Sequence, residues 1–284
     1  VYEKDQDLVI STYHSSIAIA NGVFVAWGED MDSDGSDQLS IQAITPANGY
    51  TYTGDPIMYT LSGNDDAQAF LLSTTGLWTW GAEGEVVGGG LKSGGGAEGF
   101  GSLALPPGVA ASAVLDMKAN TDVFFLLTNA GTMWIAGQDV ERVSGNNSDG
   151  SNTWHQVKQG SQSTNLTNVV EFSGNREAAY ALKADGTIWT WGRSIARGNG
   201  QGETDVTHAV QVNRSGLPGG VTLSQLGVYS YDSSGDASNT TGVLALGSDG
   251  RVYGIGWSGD EGEIITNNGD FISRWTAVNG TNGT

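Results

Sequence analysis

The densest group of side chains able to do chemistry is the decapeptide EDMDSDGSDQ at residues 29–38. Asp30, Asp32, Asp34 and Gly35 reproduce the D-x-D-x-D-G opening of a calcium loop, in which alternate carboxylates converge on a hard cation and Gly permits the sharp bend. The twelfth position of that count is Ile41, where a complete loop carries a bidentate Glu, and no helical pattern flanks the segment. The spacing thus supplies half of a site: either Ca2+ held by Asp30, Asp32 and Asp34, or an acidic turn solvated by water. A second group lies further along, where Trp257 is followed by Asp260, Glu261 and Glu263. An indole face beside carboxylates can stack on a sugar ring or a cation, so these four residues are the expected ligand contacts.

Other chemistries lack their residues. His14, His155 and His208 fall at no metal-ligand spacing, and the chain has no H-E-x-x-H, G-x-S-x-G or Walker-type motif. The absence of Cys removes thiol catalysis, thiolate zinc sites and disulfide scaffolds. Glycine-rich stretches such as VVGGGLKSGGGAEGFG (86–101) have no strand-to-helix context in which to cradle phosphate. No catalytic residue and no required cofactor are therefore expected. With 12 Lys and Arg against 31 Asp and Glu, net charge −19, and no basic stripe, the chain is unsuited to nucleic acid or to an anionic membrane surface. No apolar run approaches the roughly 18 residues that span a bilayer.

The elements that must position these groups form a repeat. Five segments match one another: SSIAIANGVFVAWG (15–28), QAFLLSTTGLWTWG (68–81), VFFLLTNAGTMWIAG (123–137), AAYALKADGTIWTWG (178–192) and VLALGSDGRVYGIG (243–256). Each is an apolar strand, a short turn containing Gly, and a second strand ending in Gly. Asn21-Gly22, Asp185-Gly186 and Asp249-Gly250 suit a two-residue type I′ hairpin. The closing glycines, Gly28, Gly81, Gly137, Gly192 and Gly256, recur with a period near 57 residues. Weaker strands are read at TWHQV (153–157), NVVEF (168–172), AVQV (209–212) and RWTAV (274–278). Four short strands per unit, without a sustained 3.6-residue pattern, predict an all-β protein of repeated antiparallel modules.

These residues resemble the repeats of the family named after the regulator of chromosome condensation, whose strand pair reads "H-S-x-A-L-x-x-D-G-x-V-Y-x-W-G". AAYALKADGTIWTWG is the best match, and the RSIARGNGQG that follows resembles the family's glycine-rich loop. GIGWSGDEGEI occupies the same place in the last unit. The divergent, Gly- and Thr-rich character is most similar to repeats in large secreted surface proteins of gliding bacteria. The resemblance implies a β-propeller of four-stranded blades, usually seven. Five units are visible here, at approximately 1–60, 61–117, 118–172, 173–226 and 227–284, forming one propeller region. RWTAV corresponds to TWHQV and DLVIS to NVVEFS, so the chain fits either a closed five-bladed ring or part of a longer one.

Most tryptophans follow the repeat. Trp78, Trp134 and Trp189 stand three residues before a closing Gly; Trp27, Trp80 and Trp191 stand immediately before one. Recurrence at repeat positions predicts packing between sheets, with Trp189 and Trp191 on one face of their strand. The expected function is a non-enzymatic binding or adhesion module, extracellular or on the cell surface, within a larger polypeptide or surface assembly. It would recognise a protein or glycan through propeller-face loops. The alternatives are a glycan hydrolase or lyase using carboxylates on the ring face, or a secreted protein inhibitor. The charge balance argues against a chromatin-binding or nucleotide-exchange role like that of the founding family member.

Overall fold

The computed structural model describes residues 8–63, 67–82, 86–88, 90–120, 123–137, 143–145, 153–161, 163–174, 178–192, 205–230, 241–257 and 271–278. Among the described residues there is no α-helix; 21 strands and two single 3-10 turns, Pro46–Asn48 and Ala111–Ala113, account for the regular structure. The strands form five antiparallel sheets. The first holds β1 (Leu8–Ser11), β2 (Ser15–Ala20), β3 (Val23–Gly28) and β4 (Gln38–Ala43) in chain order. The second holds β5 (Pro56–Gly63), β6 (Ala67–Ser73), β7 (Leu77–Gly81), β8 (Lys92–Ser93) and β9 (Gly101–Leu103) in the order β5-β6-β7-β9-β8. The third holds β10 (Val114–Asn120), β11 (Val123–Thr128), β12 (Met133–Gly137) and β13 (His155–Gln156). The fourth runs through β14 (Val169–Gly174), β15 (Ala178–Lys183), β16 (Ile188–Gly192) and β17 (Val206–Gln211), and the fifth through β18 (Leu223–Ser230), β19 (Thr241–Gly247), β20 (Val252–Trp257) and β21 (Phe271–Ala277).

The matched segments are the second and third strands of each sheet. Their closing glycines recur for a backbone reason. At Gly28, Gly192 and Gly256 the pairing with the fourth strand slips at a bulge, and φ is 115°, 110° and 104°. A Cβ at Gly28 would lie 2.3 Å from the His14 carbonyl oxygen, and one at Gly81 2.3 Å from that of Ala67. Only Gly fits a left-handed backbone pressed against the neighbouring strand.

Several details differ from the sequence reading. Asn21 and Gly22, at φ 50° and 74°, make the expected type I′ turn between Ala20 and Val23. At the other two dipeptides only Gly186 and Gly250 have positive φ. There Lys183 N–H donates to the Thr187 carbonyl (2.9 Å) and Gly247 N–H to that of Arg251 (2.7 Å), giving three-residue loops with Gly in the left-handed position. The cause is the Asp side chain: Asp185 Oδ1 accepts from Thr187 N–H (2.9 Å) and Oγ1–H (2.6 Å), which holds Asp185 at ordinary φ. The second sheet has five strands rather than four. The four internal unit boundaries, after residues 60, 117, 172 and 226, all fall inside a sheet's first strand, because the hairpin glycines mark the second and third strands rather than the sheet's start.

The chain divides into two compact units. One comprises Val1–Ala130, Trp134–Val140 and Gly150–Trp154; the other Gly131–Met133, Glu141–Asp149 and His155–Thr284. In the first, the facing sides of the first two sheets bury Ile17, Phe24, Tyr59, Leu71 and Trp80 in one cluster, with Tyr50 edge-on to both Trp80 (5.5 Å) and Phe100 (5.6 Å). A second cluster there stacks Phe70 on Phe124 at 4.3 Å. In the other unit, Tyr180, Leu223, Val243, Tyr253, Ile255 and Trp275 form the core between the last two sheets.

The hairpin tryptophans are not equivalent within each pair. Trp80 and Trp191 are fully buried, and the Trp191 indole N–H donates to the Val143 carbonyl at 2.7 Å. Trp78 and Trp189 share their partners' faces but are only half-buried. The Trp189 indole N–H donates to Thr187 Oγ1 (3.1 Å), and the Lys183 ammonium lies 5.0 Å from the ring centre.

Candidate functional site

The acidic decapeptide is the β3–β4 connection, and it is fastened at several points. Met31 is fully buried in the cluster between the first two sheets, and its carbonyl accepts the Tyr50 hydroxyl at 2.7 Å. Burial and then the Asp32 charge push the Tyr50 hydroxyl pKa above its usual range, so it stays a donor. Phe100 N–H donates to the Ser33 carbonyl (2.8 Å), while Asp32 N–H donates to that of Ser36 (2.9 Å). Gly35, at φ 88°, packs so tightly on Glu98 that a Cβ would lie 2.4 Å from the Glu98 Cβ.

The carboxylates spend themselves on this framework. Asp32 Oδ1 accepts from Ser33 N–H (2.5 Å) and Oγ–H (3.1 Å); Asp34 Oδ1 accepts from Ser36 Oγ–H (2.6 Å) and N–H (3.0 Å). The Ser36 bonds hold the Asp34 carboxyl below its ordinary pKa. Asp30 has φ 57°, and its N–H donates to Asp37 Oδ1 at 3.4 Å. Asp30, Asp32 and Asp34 are thus presented in succession along a fixed turn rather than gathered. Among the described residues no three His, Asp or Glu side chains stand as a metal-holding group. Beside the loop, His14 Nδ1 lies 2.6 Å from Glu29 Oε2, and Tyr13 meets His14 edge-on at 4.9 Å.

The loop runs directly into β4, the edge strand of its sheet. Ala26 pairs with Gln42 and Gly28 with Gln38, so three residues, 39–41, stand opposite Trp27 alone. That bulge, pinned by Gln38 Nε2–H donating to the Ser40 carbonyl (2.8 Å), throws the intervening side chains outward. Leu39 is 92% exposed and Ile41 68%, the former more than any other large apolar side chain described. Sequence reasoning passed over this pair. The signal was there: Leu39-Ser40-Ile41-Gln42 alternates immediately after an acidic turn.

The second predicted site falls mostly outside the described residues. Trp257 is the last residue of β20, its backbone opposite Phe271, and not part of a loop. Asp260, Glu261 and Glu263 lie outside the described residues.

No protein-family model and no curated protein sequence matches the chain. Solved structures do. Human WBSCR16 is similar at TM-score 0.66 and 14% identity, over 97% of this chain and 68% of that one. Prp20p from Saccharomyces cerevisiae is similar at TM-score 0.66 and 14% identity, over 96% of this chain and 63% of that one. The fold is that of a β-propeller of the regulator-of-chromosome-condensation type. A further structure of the yeast protein, bound to Kap60, aligns at TM-score 0.51 and 11% identity, over 96% and 75% of the two chains. Prp20p was described together with its binding to Gsp1p and histones. The chain spans about two thirds of the length of the first two proteins.

Proposed function

We propose that this chain is a protein-recognition module, and that its partner seats on the acidic β3–β4 loop and the bulged edge strand β4. The observation that carries this reading is the juxtaposition of Leu39 and Ile41, held out to solvent, with Glu29, Asp30, Asp32, Asp34 and Asp37 on a fastened loop. Apolar anchors supply affinity where they are desolvated, and a single-signed rim supplies register and encounter rate. A loop already locked by Met31, Tyr50 and Phe100 costs little ordering on binding. The complementary partner is a polypeptide segment with Lys or Arg flanking an apolar pair. Protein partners of the similarly folded yeast protein support the coarse reading, while the ligand chemistry comes from this chain alone. The role is non-catalytic, in a secreted or surface-displayed protein, where the strong acid excess aids solubility.

The test is selection from a displayed random-peptide library on the immobilised full chain, repeated with a Leu39→Ser/Ile41→Ser variant. Enrichment of basic, apolar sequences whose binding weakens with salt and is lost in the variant is the expected result. Enrichment indifferent to both changes would refute the assignment. Turnover of mixed polysaccharides by the purified protein would refute the non-catalytic part.

A further inference from the structure

The unit containing the last two sheets has a pocket of about 360 Å³ at the β20–β21 edge, walled by Pro218, Arg251, Tyr253, Arg274, Trp275 and Thr276. Its composition runs against that of the chain. There are only 12 cations in 284 residues, yet two of them line this one pocket. Both side chains are exposed, and among the described residues neither guanidinium has a carboxylate within ion-pair distance.

Asp249, whose charge Arg251 feels, is engaged by the pocket wall. Asp249 Oδ2 accepts the Tyr253 hydroxyl at 2.7 Å, and its Oδ1 accepts the Arg251 backbone N–H at 3.2 Å. That fixes the buried Tyr253 ring in the pocket wall, where the Arg251 guanidinium also bears on its hydroxyl. On the adjacent strand the Trp275 backbone N–H donates to the Ser215 carbonyl at 3.0 Å, which ties β21 to the loop carrying Pro218. The Thr276 hydroxyl donates to the Arg274 carbonyl at 3.2 Å. Apart from the Arg251 bond to the Tyr253 hydroxyl, the walls are held by bonds that leave the guanidinium donors unused.

We propose that this pocket binds an organic monocarboxylate, with Arg251 and Arg274 as the anion-holding groups and Pro218 and the Trp275 strand as the apolar wall. A guanidinium presents a planar fork of N–H donors that matches a carboxylate and stays charged at any physiological pH. The volume is at the small end of ligand pockets, room for one sugar ring or one acidic side chain. An organic acid suits the site better than inorganic phosphate, because Pro218 offers an apolar wall that only an organic group can cover. A uronic acid in a glycan and an acidic residue in a polypeptide offer the same group.

The experiment is calorimetric titration of the full chain with sodium galacturonate, N-acetylglutamate amide, methyl galactoside and inorganic phosphate. Both carboxylates are expected to bind and the neutral sugar is not. Arg251→Gln and Arg274→Gln should each weaken carboxylate binding about tenfold, with circular dichroism melting unchanged because both side chains are exposed. Leu39→Ser/Ile41→Ser should leave it intact, so failure here is distinguishable from failure of the edge-strand reading. Tighter galacturonate assigns a glycan source; tighter N-acetylglutamate amide assigns a peptide one. Equal binding of methyl galactoside, a preference for phosphate over both carboxylates, or full binding by the double Arg variant would overturn the proposal.

Discussion

The hairpins at the centre of the second and fourth sheets and the fourth strands at the sheets' edges follow opposite rules. LWTWG in β7 and IWTWG in β16 differ at one residue and have the same burial, residue by residue. The fourth strands share nothing comparable: β4 bulges and displays Leu39, while β21 carries Arg274 into a pocket wall. Where a sheet must pack against a neighbour, shape complementarity fixes the side chain and the repeat is kept. Where a strand meets solvent, nothing enforces the repeat, and chemistry can diverge. Recurrence in this chain therefore marks framework, and departure from recurrence marks the candidate surfaces.

The largest effect expected from this contrast is in the paired tryptophans. Trp80→Ala or Trp191→Ala should cost roughly 3–5 kcal/mol, read by urea unfolding, because each removes a fully buried indole. Trp78→Ala or Trp189→Ala, at the half-buried positions, should cost about half as much; equal losses would erase the distinction within the pairs. Next is Gly81→Ala, which sets a Cβ 2.3 Å from a backbone oxygen at φ 91° and should cost about 1–3 kcal/mol. Gly22→Ala, in open space at φ 74°, should cost about 1 kcal/mol. Leu39→Ser should shift stability by no more than about 0.5 kcal/mol while abolishing peptide capture, and a large loss of stability would make Leu39 framework after all.

The smallest effects belong to the turn carboxylates. Thr187 hydrogen bonds lower the Asp185 pKa, so its contribution is present above the unfolded carboxyl value and lost as pH falls through the lower folded one. Asp185→Ala should be slightly less stable than the parent near pH 6, with the gap closing at acid pH. For the half-loop, calcium binding predicts a melting temperature that rises with added calcium and falls with chelator, an effect abolished by Asp32→Asn. Melting that ignores calcium leaves these carboxylates as turn caps alone.

The fold was legible because its signals are local. Alternating apolar runs, hairpin turns and glycines at a constant register each report the backbone beside them. What escaped the sequence was decided by contacts distant along the chain or by side-chain bonds that spacing alone does not specify. Nothing in the letters around Trp78 says that Phe100, stacked on it at 5.8 Å, leaves part of its ring uncovered. D-x-D-x-D-G spacing is shared by calcium loops and by acidic turns, and here Ser33 and Ser36 claim an oxygen each from Asp32 and Asp34. The alternation at Leu39 and Ile41 shows a strand but not which way its apolar side chains face, and only the bulge against Trp27 turns them out.

The extra strand of the second sheet bears on how such an edge is used. β9 holds the fourth position, paired on one side with β7, yet on its other side Ser102 and Leu103 pair with Ser93 and Lys92 of β8. The outer backbone of a fourth strand in this chain can therefore carry a second ladder of hydrogen bonds, supplied by a short segment that was never part of the blade. Here the donor is a loop of the same molecule. An extended segment of another protein laid along β4 would be doing what Lys92 and Ser93 already do: strand augmentation, with specificity left to the side chains that alternate across the join.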